Sequence, residues 1–117
     1  MLTKIYHSFL FAWNGLKTTW QEEHNFRLEI LVGIIVVFFI LFFKFTFVET
    51  VFCVLAITLV LIAEILNTAV EDLCNKVEPE HNSVIGKIKD TMAGFVLVSC
   101  LGAGITGLLV FYNHFFI

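Results

Sequence analysis

The stretch Ile62-Ala-Glu-Ile-Leu-Asn-Thr-Ala-Val-Glu71 places Glu64, Asn67, Thr68 and Glu71 inside the most apolar part of the chain. Their spacing of three, four and seven residues puts all four on one side of a helix. Upstream of them, Thr50 to Ala63 carry no charge. An ionisable group in hydrocarbon costs roughly 2.5–3.5 kcal/mol on insertion scales, and such groups generally mark a function. The segment is therefore read as a membrane helix with a polar stripe, and the stripe calls for a chemical explanation.

Composition agrees with a membrane setting. Hydrophobic residues make up 59% of the 117 positions and charged ones 15%, with 14 Phe and a single Pro. A soluble domain is nearer half apolar and a quarter charged. The chain is expected to be a small integral membrane protein forming one helical domain over 1–117. A net charge of −3 without any basic run does not point to nucleic acid. Cys53, Cys74 and Cys100 are scattered in or beside apolar segments and are read as small apolar residues without a disulfide framework. No cleavable leader is expected, because the first 29 residues carry charge throughout.

Outward from the stripe, three apolar segments appear. Ile30 to Phe43 is free of charge between Glu29 and Lys44. A crossing needs about 20 residues, so the first membrane helix is placed at 26–45, with Arg27 and Lys44 reaching the two interfaces. The second is placed at 48–73 and the third at 86–112, within the charge-free run from Thr91 to Ile117. Residues 1–22 differ in kind. Ile5, Phe9, Ala12, Trp13, Leu16 and Trp20 recur at helical spacing, with Lys4, His7, Asn14 and Lys17 around the rest of the wheel. This pattern predicts an amphipathic helix lying on the bilayer with its Trp residues at headgroup level. The polar connection Asn75 to Asp90 is expected to turn at Glu78-Pro79-Glu80. The predicted fold is thus all-α: one surface helix followed by three transmembrane helices.

With three crossings, the N-terminus and the 75–90 connection share a side. Lys4, Lys17, Arg27, Lys76, Lys87 and Lys89 belong to it, against Lys44 alone on the other. The positive-inside rule makes that side cytoplasmic. There the acidic and amide residues gather at Glu22, Glu23 and Glu29; at Glu64, Asn67, Glu71 and Asp72; and at Glu80 and Asp90 beside Lys89. Glu64 to Glu71 spans about 10 Å of helix, so Glu71 is near the surface and Glu64 deeper. Carboxylates at such an interface suit Mg²⁺, which takes one or two of them together with substrate phosphates. Lys89 adds a cation for phosphate oxygens. A poorly solvated Glu64 takes up a proton more readily and is the better base.

Simpler readings stand beside these. On spacing alone, Lys89-Asp90 is an adjacent surface pair, and Glu22 and Glu23 an ordinary charged interface. Asn67 can serve as an amide bonding between helices. His7, His24, His81 and His114 lack ligand spacing and are read as interfacial. Gly102-Ala-Gly104-Ile-Thr-Gly107 matches G-x-G-x-x-G by letter, but it lies inside a membrane helix without the strand that the dinucleotide fingerprint requires. Close helix packing through Ser99, Ala103 and Gly107 is the expectation there.

Ala63-Glu-Ile-Leu-Asn-Thr-Ala-Val-Glu71, Lys89-Asp-Thr-Met-Ala-Gly94 and Trp20-Gln-Glu-Glu-His-Asn-Phe-Arg27 together resemble the prokaryotic diacylglycerol kinase/undecaprenol kinase family, over roughly residues 4 to 110. The resemblance implies a surface helix with three spans, and a homotrimer whose active sites are shared between neighbours at the cytoplasmic face of a bacterial inner membrane. It also implies transfer of the ATP γ-phosphate to a lipid hydroxyl with Mg²⁺. On matching positions it implies Glu64 as general base, Glu23 and Glu71 as Mg²⁺ ligands, and Asn67 as polar support. Lys4, Glu23, Glu71, Glu80, Lys89 and Asp90 would hold the nucleotide. Arg27 and Trp13 would support the site or the substrate. Phe11 stands where some members carry an aromatic hydroxyl. Asn25-Phe26 and Ala93-Gly94 look more like the undecaprenol kinase members than the diacylglycerol-specific ones.

Two other classes compete. An ion or proton carrier would need acidic groups continuing across the bilayer, and the third span has none. A noncatalytic adaptor has no use for Asn67 and two glutamates in register with Lys89-Asp90.

Overall fold

The computed structural model describes every residue except Pro79 and His81, so the expected Glu78-Pro79-Glu80 turn and His81 lie in part or wholly outside the described residues. The described chain forms four helices: α1 (Leu2–Glu22), α2 (His24–Phe42), α3 (Phe47–Val77) and α4 (Ser83–Phe116). The last three are long and apolar enough to cross a membrane. Large side chains face outward along them, with Phe38 67% and Leu108 72% exposed. In water such a surface is untenable; in hydrocarbon it is the side that meets lipid, while helical hydrogen bonding satisfies the backbone. The all-α architecture of one N-terminal helix and three spans is the one expected from the sequence.

Helix ends follow from local chemistry. α2 stops where Lys44 enters the left-handed region at φ 53 and the Phe45 N–H reaches back to the Ile40 carbonyl at 3.1 Å, closing the exposed carbonyls of the last turn. Two residues on, Thr46 and Glu49 form a reciprocal capping box: Thr46 Oγ1 accepts the Glu49 N–H at 3.2 Å, and Glu49 Oε1 accepts the Thr46 N–H at 2.9 Å. α4 opens on Asn82, whose side-chain oxygen accepts the Ile85 N–H at 2.9 Å.

α3 is the hub. α1, α2 and α4 all pack on it, and α1 also meets α2, whereas the backbones of α2 and α4 do not approach each other. At 31 residues α3 is about 46 Å long, against roughly 30 Å of hydrocarbon. The surplus turns carry Glu71, Asp72, Asn75 and Lys76 beyond the apolar zone at the end where α1 and the 78–82 connection lie.

At the opposite end, Ile40, Cys53 and Val110 join α2, α3 and α4 in a small core. Beside it Glu49, only 4% exposed, accepts from Asn113 Nδ2 at 3.0 Å and meets His114 Nδ1 at 3.0 Å. His114, read from sequence as interfacial, is half-buried against the Phe45 ring. One carboxylate thus ties the α2–α3 turn to the end of α4. Glu49→Ala leaves the Asn113 amide and His114 without their acceptor. It is expected to lower Tm in detergent by several degrees while leaving kcat unchanged, since the acidic cluster lies at the other end; a melting curve and a kinetic assay on the same preparation check both.

Candidate active site at the acidic end of the bundle

The join between α1 and α2 is a single extended residue, Glu23 (φ −111, ψ 109), whose N–H is held by the Thr19 carbonyl at 2.9 Å. Thr19 is buried at this corner and bonds back to Gly15. The kink turns the half-buried Glu23 side chain toward α3, where Glu71, Glu64 and Asp72 are near enough for their charges to act on it.

Glu64 lies deeper on the same side of α3 and is 2% exposed. Its Oε2 is buried without a hydrogen-bond partner among the described residues. The side-chain amides of Asn25 on α2 and Asn67 on α3 face its carboxyl group. One turn further, Thr68 Oγ1 is spent on the Glu64 backbone carbonyl at 2.9 Å, which removes the threonine as a donor to the carboxylate. A buried carboxylate oxygen with nothing bonded to it is costly, and in a native fold it marks a strain reservoir or a catalytic position.

Beside the carboxylates, Asn67, Val70, Glu71, Lys89, Met92 and Ala93 line a cleft of about 220 Å³ between α3 and α4. Lys89 Nζ donates to Asn75 Oδ1 at 2.7 Å, which holds the ammonium at the mouth of this cleft. Glu23 at the α1–α2 corner, Glu64 and Glu71 on α3 and Lys89 on α4 therefore gather at one end of one chain. Asp90 is exposed on the next position of α4, and Glu80 is exposed in the connection. Arg27 and Trp13 are exposed on α2 and α1. Lys4 is not brought to this cluster within one chain: it precedes Glu23 by 19 residues, about 28 Å along α1.

Among the described residues no three His, Cys, Asp or Glu side chains are close enough to hold a metal by themselves. The donor set still fits Mg²⁺ of the kind that arrives with a nucleotide, which needs one or two carboxylates and takes its other ligands from phosphate and water. Mutual repulsion within the cluster is the second sign. Burial first, then the charges of Glu71, Glu64, Asp72 and Glu22, hold the Glu23 carboxyl above its ordinary value of 4.5. A carboxyl whose proton is held more tightly in the fold than in the unfolded chain stabilises the fold fully below that ordinary value and loses the contribution as pH rises through the folded-state value. Glu23→Gln is thus expected to raise Tm over the parent at neutral pH in metal-free buffer, with the gap closing as pH is lowered to 4.5 or below; a pH series of melting curves checks this.

Three participants escaped sequence reasoning as site residues. Asn25 faces Glu64 only because α2 and α3 cross there. Asn75 reaches Lys89 across the connection. Glu29, read as one of the acidic residues entering the first span but given no role, carries a second buried, unpartnered oxygen and accepts weakly from Cys100 Sγ at 4.0 Å. The helical spacing of Asn25 and Glu29 was the available signal for two of the three.

Fold and site together define a class: a small helical membrane protein with a carboxylate cluster and a lysine-lined cleft at one end of its bundle. The family described as "Prokaryotic diacylglycerol kinase" matches over residues 10–111. The chain is 28% identical over 113 residues to the diacylglycerol kinase of Escherichia coli strain K12, covering 97% of this chain and 93% of that one. It is 29% identical over 112 residues to the diacylglycerol kinase of Haemophilus influenzae, covering 94% and 95%. It is likewise 28% identical over 110 residues to the undecaprenol kinase of Bacillus subtilis, covering 94% and 89%. The chain belongs to the prokaryotic diacylglycerol kinase family and is a lipid kinase.

Proposed function

We propose that this lipid kinase transfers the γ-phosphate of ATP to the hydroxyl of a membrane lipid alcohol, undecaprenol in preference to diacylglycerol, at the inner face of a bacterial cytoplasmic membrane. The observation that carries the reading is the unpartnered, buried Glu64 Oε2 one to two helical turns along α3 from Asn67 and Glu71, which line a cleft with Lys89. A base at that depth meets a hydroxyl that cannot leave the bilayer, while the cleft mouth is open to a nucleotide.

In this reading Glu64 takes the proton of the acceptor hydroxyl as its oxygen bonds to the γ-phosphorus and the bond to the β,γ-bridging oxygen breaks, releasing ADP. Phosphoryl transfer depends chiefly on in-line placement and on neutralising phosphate charge. Lys89, with Asp90 and Glu80 nearby, orients the triphosphate. Glu23 and Glu71 hold Mg²⁺, which when bound neutralises phosphate oxygens. Asn67 and Asn25 fix the Glu64 carboxyl group. Lys4, at the far end of α1 from its own chain's carboxylates, is suited to a nucleotide contact on a neighbouring protomer of a homotrimer, and Arg27 and Trp13 to the lipid-facing rim.

Overall identity does not separate the two acceptors, since the chain is equally identical to a named diacylglycerol kinase and a named undecaprenol kinase. Two positions that favour undecaprenol stand at the site: Asn25 faces Glu64 and Ala93 lines the cleft. Purified protein with labelled ATP, offered undecaprenol and diacylglycerol in parallel micelles, tests the proposal. Faster Mg²⁺-dependent labelling of undecaprenol is expected. Faster labelling of diacylglycerol reverses the preference, and labelling of neither removes the function.

A further inference from the structure

α2 begins without a side-chain cap, and no acidic residue occupies its first turn. The two helices that follow are capped, α3 by Thr46 and α4 by Asn82. Glu23, the extended N-cap residue, has its own N–H spent on the Thr19 carbonyl, and its carbonyl accepts the Arg27 N–H at 3.4 Å. The N–H groups of His24, Asn25 and Phe26 find no acceptor among the described residues. Three parallel donors at the positive end of a 19-residue helix make a seat for an anion.

The side chain facing this turn narrows the ligand. Glu64, 2% exposed, presents its carboxyl group to Asn25 in that same first turn, and its Oε2 has no partner among the described residues. Free donors and a free acceptor thus border one space, beside Glu23 and within range of the Glu71 charge, without satisfying each other. A group lying between them has to give a hydrogen bond to Oε2 and offer anionic oxygens to the N–H groups. A lipid hydroxyl aligned with a terminal phosphate does both at once.

We infer that the first turn of α2 binds the phosphoryl group in transfer, through the backbone N–H groups of His24, Asn25 and Phe26. The inference rests on the lipid-alcohol kinase reading and adds donors to it. Lys89 is the one cation lining the cleft, whereas a triphosphate carries several negative charges into a cluster that already holds Glu23, Glu64, Glu71 and Asp72. The helix fixes its N–H groups before the substrate arrives, so they stabilise charge on the equatorial phosphate oxygens without reorganising. Because Glu23 is the N-cap of this helix, the proposed Mg²⁺ ligand and the N–H groups approach the phosphate side by side.

Proline at position 24 removes one of these donors without asking the fold to change. Proline is favoured at the first helical position. Glu23 before it already has the extended backbone that suits a following proline (φ −111, ψ 109), and the His24 side chain is exposed. His24→Pro is expected to lower kcat about 10²-fold, the lower end of the loss for one preorganised donor. KM for the lipid alcohol should be nearly unchanged, and Tm of the nucleotide-free protein should equal or exceed that of the parent. A kcat within a few-fold of the parent overturns the inference. A second measurement uses the parent sequence carrying isotopically labelled histidine, and it decides the matter should the variant fail to fold. Mg²⁺ with a nonhydrolysable ATP analogue is expected to move the His24 amide proton downfield in the NMR spectrum, and Mg²⁺ with ADP to move it far less. An amide unmoved by the analogue, or moved equally by ADP, overturns the inference even when the protein phosphorylates undecaprenol. A protein that phosphorylates no lipid alcohol overturns the underlying reading instead.

Discussion

Replacing Glu64 by Gln is expected to give a protein that folds and assembles normally but phosphorylates lipid about 10²–10⁴-fold more slowly, the range that a positioned general base supplies. The substitution keeps the shape of a side chain that is 2% exposed, so no cavity forms. It also replaces an unpartnered oxygen with a neutral amide, which relieves repulsion from Glu71 and Glu23. Stability of the variant should equal or exceed that of the parent, whereas a purely structural carboxylate would show the opposite. The loss should fall on kcat with KM for ATP nearly unchanged, because the base acts on the acceptor proton rather than on the nucleotide. Turnover within a few-fold of the parent would remove Glu64 from the reaction.

The architecture was legible because lipid imposes simple rules. A continuous apolar run such as Ile30 to Phe43 has few alternatives to a spanning helix, and the aromatic row from Ile5 to Trp20 has few alternatives to a helix beside it. The polar stripe was legible for the same reason: at i, i+3, i+4 and i+7 its members share a face wherever the helix goes. What the sequence withheld depends on how helices cross. Asn25 and Glu64 are on different helices and meet only through the α2–α3 crossing. Lys89 finds Asn75 because α4 packs along α3 there. The Glu49–His114 pair joins residues 65 positions apart in the sequence, and neither shows a spacing that names the other. The glycines at 104 and 107 read as packing residues by pattern, yet the arrangement of α2 and α4 leaves them open within the chain. Local periodicity is a property of one segment; partner choice across segments is a property of packing.

Glu71→Gln should cost roughly 10²–10³-fold in kcat/KM, the scale seen when one preorganised charge-stabilising group is removed, and should raise the Mg²⁺ concentration needed for half-maximal turnover. The second effect separates a metal role from a purely electrostatic one. Glu71 is exposed at the cleft mouth, so its loss leaves no buried hole and the fold should survive. Glu23, half-buried at the α1–α2 corner, belongs to the same charge cluster, and Glu23→Gln should shift the Mg²⁺ requirement in the same direction. If the two carboxylates serve one ion, their effects will not add: the double variant should be little worse than the poorer single one, since the second loss removes a ligand from a site already unable to bind. Additive losses at saturating Mg²⁺ would instead assign the two residues to separate tasks. Thermal shift offers a readout independent of turnover. Mg²⁺ with a nonhydrolysable ATP analogue should stabilise the parent by offsetting the repulsion among Glu23, Glu71 and their acidic neighbours, and should do so less in either variant. An undiminished shift in both would show that the acidic cluster is not where the metal-bound triphosphate sits.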